Sequence, residues 1–77
     1  MHIYNRLQLI RTERDMSRQE LAEKVDVNVQ TIGFIERGDY FPSLELAFKL
    51  SEVFAVSIED IFSPKQFPSL FNVQKGE

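Results

Sequence analysis

The stretch from Ser17 to Gly38, SRQELAEKVDVNVQTIGFIERG, leaves little freedom in how the chain can fold. Ser17 can accept from the backbone N–H of Glu20 while the Glu20 carboxylate reaches back to the N–H of Ser17, the reciprocal pairing of a capping box. Met16, just before the cap, and Leu21, four residues after it, are spaced to pack as a hydrophobic staple. Leu21, Ala22 and Val25 then share one face, with Arg18, Gln19, Glu23 and Lys24 elsewhere, so the segment predicts an amphipathic helix. The same grammar returns at once. Asn28 stands as a second cap, Val27 and Ile32 make a second staple, Ile32 and Ile35 are buried, and Gly38 can take the left-handed conformation that closes a helix. Only Asp26, Val27 and Asn28 lie between the two helices, and a corner this short forces their axes to cross steeply. Asp26 tolerates the left-handed region better than most side chains, so the corner is feasible there.

The flanks supply supporting elements. Ile3 and Tyr4 favour a short strand. Asn5 is placed to cap a helix running to about Asp15, with Leu7, Ile10 and Arg14 on one face and Leu9 widening it. Pro42 pushes Phe41 into an extended conformation, and Ser43 caps the next helix, in which Leu44 to Phe54 is apolar nearly all round and therefore predicted to be central to the core. Ser57 caps a short final helix with Asp60 in its first turn, Val56 and Ile61 as a third staple, and an end near Phe62 before Ser63-Pro64. Phe48, Phe54 and Phe62 are expected in the core. The reading divides the chain into a helical domain over 1–63 and a tail over 64–77 that carries Phe67, Leu70, Phe71 and Val73.

Composition limits what such a chain can be. Seventy-seven residues make one domain that buries about 60% of its unfolded surface. A hydrophobic content of 43% with seven Phe argues against disorder, and no apolar run approaches a membrane span. No secretory signal is visible at the N-terminus, so a cytoplasmic location is expected. With no Cys, one His near the terminus and no Gly-rich phosphate loop, neither a metal site, a cofactor nor an enzymatic activity is expected. The net charge of −3 is not that of a basic nucleic-acid binder, and residues 11–40 are themselves slightly acidic.

The paired helices form a helix-turn-helix, and the match extends beyond them. Arg11, SRQELAEKV at 17–25, QTI at 30–32, IERG at 35–38, PSLELAFKL at 42–50 and FAVSIEDIF at 54–62 together resemble the Cro and phage-repressor type of helix-turn-helix, the xenobiotic-response-element family of small bacterial and phage transcriptional regulators. The resemblance implies an all-α, five-helix domain, in some members with a small sheet made from the two chain ends. Ile3-Tyr4 and the Phe67 to Val73 region would suit that sheet. It also implies an internal ion pair between Arg11 and Glu36, and sequence-specific binding of double-stranded operator DNA by a homodimer acting most often as a repressor.

Major-groove chemistry then selects residues. Gln30 can present its amide bidentate to adenine, Thr31 can meet phosphate or a thymine methyl, and Val29 offers apolar contact alone. Gly33 would open the outward face to close backbone approach, and Phe34 beside it is an unusual exposed aromatic. Arg18 and Gln19 at the first turn of the preceding helix are expected on phosphate, with Arg18 the main anchor; Asn28, Arg37 and Tyr40 add backbone contacts, whereas Asp39 repels phosphate. Ile58, Ile61, Phe62 and the tail are the candidate dimer surface. The alternative is an antitoxin-like module that holds another protein and touches DNA only secondarily, a reading that Phe34, Asp39 and the acidic balance keep open.

Overall fold

The computed structural model describes residues 1–68. Its elements run in the order β1 (Tyr4–Asn5), α1 (Leu7–Glu13), α2 (Arg18–Val25), α3 (Val29–Arg37), α4 (Leu44–Phe54), α5 (Ile58–Ile61) and β2 (Phe62–Ser63). The two strands pair antiparallel, Tyr4 with Ser63 and Asn5 with Phe62. The expected sheet is therefore present, but its second strand directly follows α5 and lies inside the predicted helical domain, ahead of the 67–73 region. Leu70, Phe71 and Val73 fall outside the described residues.

Local chemistry explains most of the boundaries. The capping box of α2 is complete: Glu20 N–H donates to Ser17 Oγ at 3.0 Å, and Ser17 N–H donates to Glu20 Oε1 at 2.9 Å. Ser57 and Asp60 form the same reciprocal pair at α5, and Ser43 Oγ accepts from the Leu46 N–H at the start of α4. The corner after α2 is made by Asp26 at φ 60°, and α3 closes on Gly38 at φ 82°. Two further non-glycine residues take positive φ, Asp15 at 53° after α1 and Ala55 at 57° after α4. Helix α1 consequently stops at Glu13, earlier than the expected Asp15. Asn5 still serves its start, because Oδ1 accepts from the Leu7 N–H at 3.0 Å while Nδ2 donates to the Ile35 carbonyl at 2.9 Å. One side chain thus ties the beginning of α1 to the end of α3.

The core sits where the inner faces of all five helices meet. Leu7, Leu21, Val25, Ile32, Ile35, Leu50, Phe54 and Ile61 are fully buried, with Met16, Val27, Val56 and Phe62 packed against them. Helices α2 and α3 make the closest pair, crossing at the three-residue corner Asp26 to Asn28. Two expectations need correction. Helix α4 is amphipathic rather than apolar all round, since Leu44 and Phe48 are 71% and 52% exposed. Their positions are one helical turn apart on the side away from Leu46, Leu50 and Phe54, and the core has no layer beyond them. Leu9 is likewise exposed. Arg14, also on the outer side, anchors α1 to α4 by donating from Nη1 to the Phe54 carbonyl at 2.9 Å.

Candidate nucleic-acid interface

Helix α3 presents Gln30 and Phe34 outward, one turn apart, while Ile32 and Ile35 face the core. Val29 and Thr31 are half-buried, Val29 packing against the core edge. Asn28 occupies the position before α3 in extended conformation, but its side chain makes no capping bond. The expected cap is therefore positional only, and Asn28 is exposed. Gln19 on α2 is held by Glu23, its Nε2 donating to Oε2 at 3.0 Å.

Below this surface lies a charge cluster. The Glu36 side chain, only 1% exposed, accepts from Arg11 Nε at 2.6 Å, from Arg11 Nη2 at 3.2 Å and from Arg18 Nε at 2.9 Å. Arg11 also donates from Nη1 to the Met16 carbonyl at 2.9 Å, so three of its nitrogens are used and it is buried like its partner. The internal ion pair between α1 and α3 is thus present. Sequence reasoning missed that Arg18 joins it. Two guanidinium groups and one carboxylate leave a single net positive charge, and Arg18, 44% exposed against 9% for Arg11, is the cation of the cluster that solvent reaches. Arg18 is not a free surface arginine: the buried carboxylate fixes where its charge sits.

A second pairing lies at the far end of α3. Arg37 donates from Nε to Asp39 Oδ2 at 3.2 Å, and its guanidinium carbon stands 5.1 Å from the centre of the Phe34 ring. The same side chain lies over Gly33, where an added Cβ would meet Arg37 Nη1 at 3.3 Å. Gly33 is buried, and Arg37 lies across the outward face expected to be open at that position. Asp39 thus neutralises Arg37 rather than standing alone against phosphate. Arg18, Val29, Gln30, Gly33, Phe34 and Arg37 together rim one shallow depression of about 260 Å³. Tyr40 is exposed but lines a separate hollow with Thr31 and Ser43, on the corner side of α3.

Elsewhere on the surface, Ile3, Phe41, Leu44, Ile58 and Phe62 line an apolar groove of about 320 Å³. Ile61, expected on this surface, is fully buried and belongs to the core.

Residues 7–61 match the helix-turn-helix family, and the chain belongs to it, in its Cro and phage-repressor branch. An uncharacterized HTH-type transcriptional regulator of Methanocaldococcus jannaschii is 48% identical over 58 residues, covering 75% of this chain and 88% of that protein. The uncharacterized regulator YgzD of Bacillus subtilis is 41% identical over the same length and the same shares. The transcriptional activator BcrR of Enterococcus faecalis is 29% identical over 70 residues, 91% of this chain and 34% of BcrR. The crystal structure of a candidate DNA-binding protein from Bacteroides fragilis superposes with a TM-score of 0.73 over 79% of this chain and 98% of its own at 23% identity, a likeness of fold. The protein is thus an HTH-type transcriptional regulator by family, with a DNA-binding fold.

Proposed function

We propose that the protein is a cytoplasmic repressor that binds operator DNA as a homodimer, with α3 in the major groove and the first turn of α2 on the phosphate backbone. The observation that carries the reading is the joint placement of Gln30 and Arg18 on the rim of one depression, the amide at the second residue of α3 and the guanidinium at the first residue of α2. An amide there suits bidentate contact with adenine, and the positive charge beside it suits phosphate. Gln19, Asn28, Val29, Thr31, Gly33, Phe34, Arg37 and Tyr40 complete the proposed contact set. Asn28 contributes through its exposed amide. Gly33 contributes indirectly, by admitting Arg37 to the helix surface. Occupancy of a promoter by the dimer excludes polymerase.

One module offers limited contact area, and operators of this kind are read by two copies with half-sites about 34 Å apart. The apolar groove and the exposed Leu44 and Phe48 form the proposed contact between copies. Arg18, the exposed member of a cluster with one net positive charge, gives each copy a cation for phosphate, so a dimer binds with a slope of log affinity against log salt of about −1.8.

A protein-holding role is favoured by one observation: both interface arginines already have carboxylate partners. Binding to the DNA upstream of its own reading frame, measured at two salt concentrations for the wild type, Gln30→Ala and Arg18→Ala, separates the two. Both substitutions are expected to weaken binding, and Arg18→Ala to flatten the salt dependence. If neither does so, α3 is not the reading element.

A further inference from the structure

We propose that Phe34 is a specificity-determining residue that reads the C5-methyl group of thymine, so that the operator half-site pairs an adenine under Gln30 with one or more thymines under Phe34. The proposal rests on the duplex-DNA reading above. On the outer face of α3, hydrogen-bonding capacity is concentrated in Gln30, because Val29 and Phe34 carry no side-chain donor or acceptor and Gly33 is covered. The Phe34 ring itself offers a base edge contact and no hydrogen bond. The apolar feature that a base pair presents in the major groove is the thymine methyl, and an aromatic side chain recognises it by contact.

Three features fit Phe34 for this task. It is 45% exposed; Phe41 and Phe48 are exposed as well, but Phe34 is the exposed phenyl ring that α3 carries beside Gln30. The Arg37 guanidinium, paired with Asp39, lies over one face of the ring, 5.1 Å from its centre. That leaves the rest of the ring as an apolar surface on the rim shared with Gln30 and Arg18. The spacing also agrees: four residues of helix advance about 6 Å, close to two base-pair steps of about 3.4 Å. Gln30 and Phe34 can therefore address base pairs two steps apart in the same groove, the first by hydrogen bonds and the second by contact.

The test exchanges thymine for uracil, which removes the methyl and keeps the pairing. Duplexes selected by the wild-type protein from a random pool are resynthesised with thymine or with uracil and titrated with the wild type, Phe34→Ala and Phe34→Leu. The wild type is expected to bind the thymine duplex about fourfold more tightly for each methyl it buries. Phe34→Ala should bring that ratio toward one, while Phe34→Leu, still apolar, should retain part of it. Because uracil also alters the duplex itself, a ratio that persists unchanged in Phe34→Ala overturns the proposal, as does a ratio of one in the wild type. Failure of the wild type to select any duplex overturns the operator reading together with this one; selection with no thymine preference overturns this one alone.

Discussion

Arg11 and Arg18 bind the same carboxylate, yet removing them should have very different consequences. Arg11→Met leaves the nearly inaccessible Glu36 side chain with one remaining charged partner, Arg18, and also loses the bond to the Met16 carbonyl. Breaking a buried pair from one side costs about 3–5 kcal/mol, and the surviving Arg18 contact places this case at the lower end, about 3 kcal/mol. A domain of 77 residues has about 4–12 kcal/mol in total. The variant should therefore lose a large share of its stability, with Tm falling by about 12–24 °C. Arg18→Ala removes a partner that is 44% exposed, where water screens the attraction, and should cost under about 1 kcal/mol. Urea titration followed by helical circular dichroism gives both values. Replacing Arg11 and Glu36 together by Met and Leu should recover most of the loss, because the cost arises from the stranded charge rather than from missing attraction. Equal losses for Arg11→Met and Arg18→Ala, or no recovery in the double variant, would refute the assignment of Glu36 as a buried anion.

Other outcomes follow from single features. Ala55→Gly should raise stability by about 1 kcal/mol in thermal unfolding, since Ala55 holds φ 57° and glycine carries no Cβ penalty there. Ser17→Ala should cost about 1 kcal/mol in the same assay, and Asn28→Ala clearly less, because Ser17 makes a capping bond and Asn28 does not. Leu44→Glu should shift sedimentation equilibrium toward monomer with little change in the unfolding free energy of the subunit, given its 71% exposure. Arg18→Ala should make the salt slope of DNA binding less negative by about 1.8 for a dimer, measured by fluorescence anisotropy.

Caps and apolar spacing made most of the fold legible. Ser17-Glu20, Ser43 and Ser57-Asp60 mark helix starts through bonds between near neighbours, which a sequence displays directly. Asp26 and Gly38 mark ends by backbone preference. What the sequence concealed depends on distant chain. Asn28 has the right side chain for a cap but does not use it. Leu44 and Phe48 are as apolar as Leu46 and Leu50, and only the thickness of the core decides which pair is left outside. The strand at Phe62 and Ser63 has no pattern of its own, because two residues cannot display alternation. Within the candidate interface, the outward placement of Gln30 and Phe34 was legible from spacing along one helix. The capture of Arg18 by Glu36 joins residues 18 positions apart, and the cover of Gly33 by Arg37 depends on a side-chain conformation.

Pairing of Tyr4–Asn5 with Phe62–Ser63 means that the polypeptide enters and leaves the helical bundle through a single doorway. Neighbouring antiparallel strands lie about 5 Å apart, so a short covalent bridge between residues 3 and 64 would close the backbone into a ring without distorting it. New ends could then be cut in the exposed loop at 39–41, giving a circular permutant with the same bundle. By the same topology, two different cargo domains fused on either side of this bundle would be leashed to one pole and compete for the same space around it.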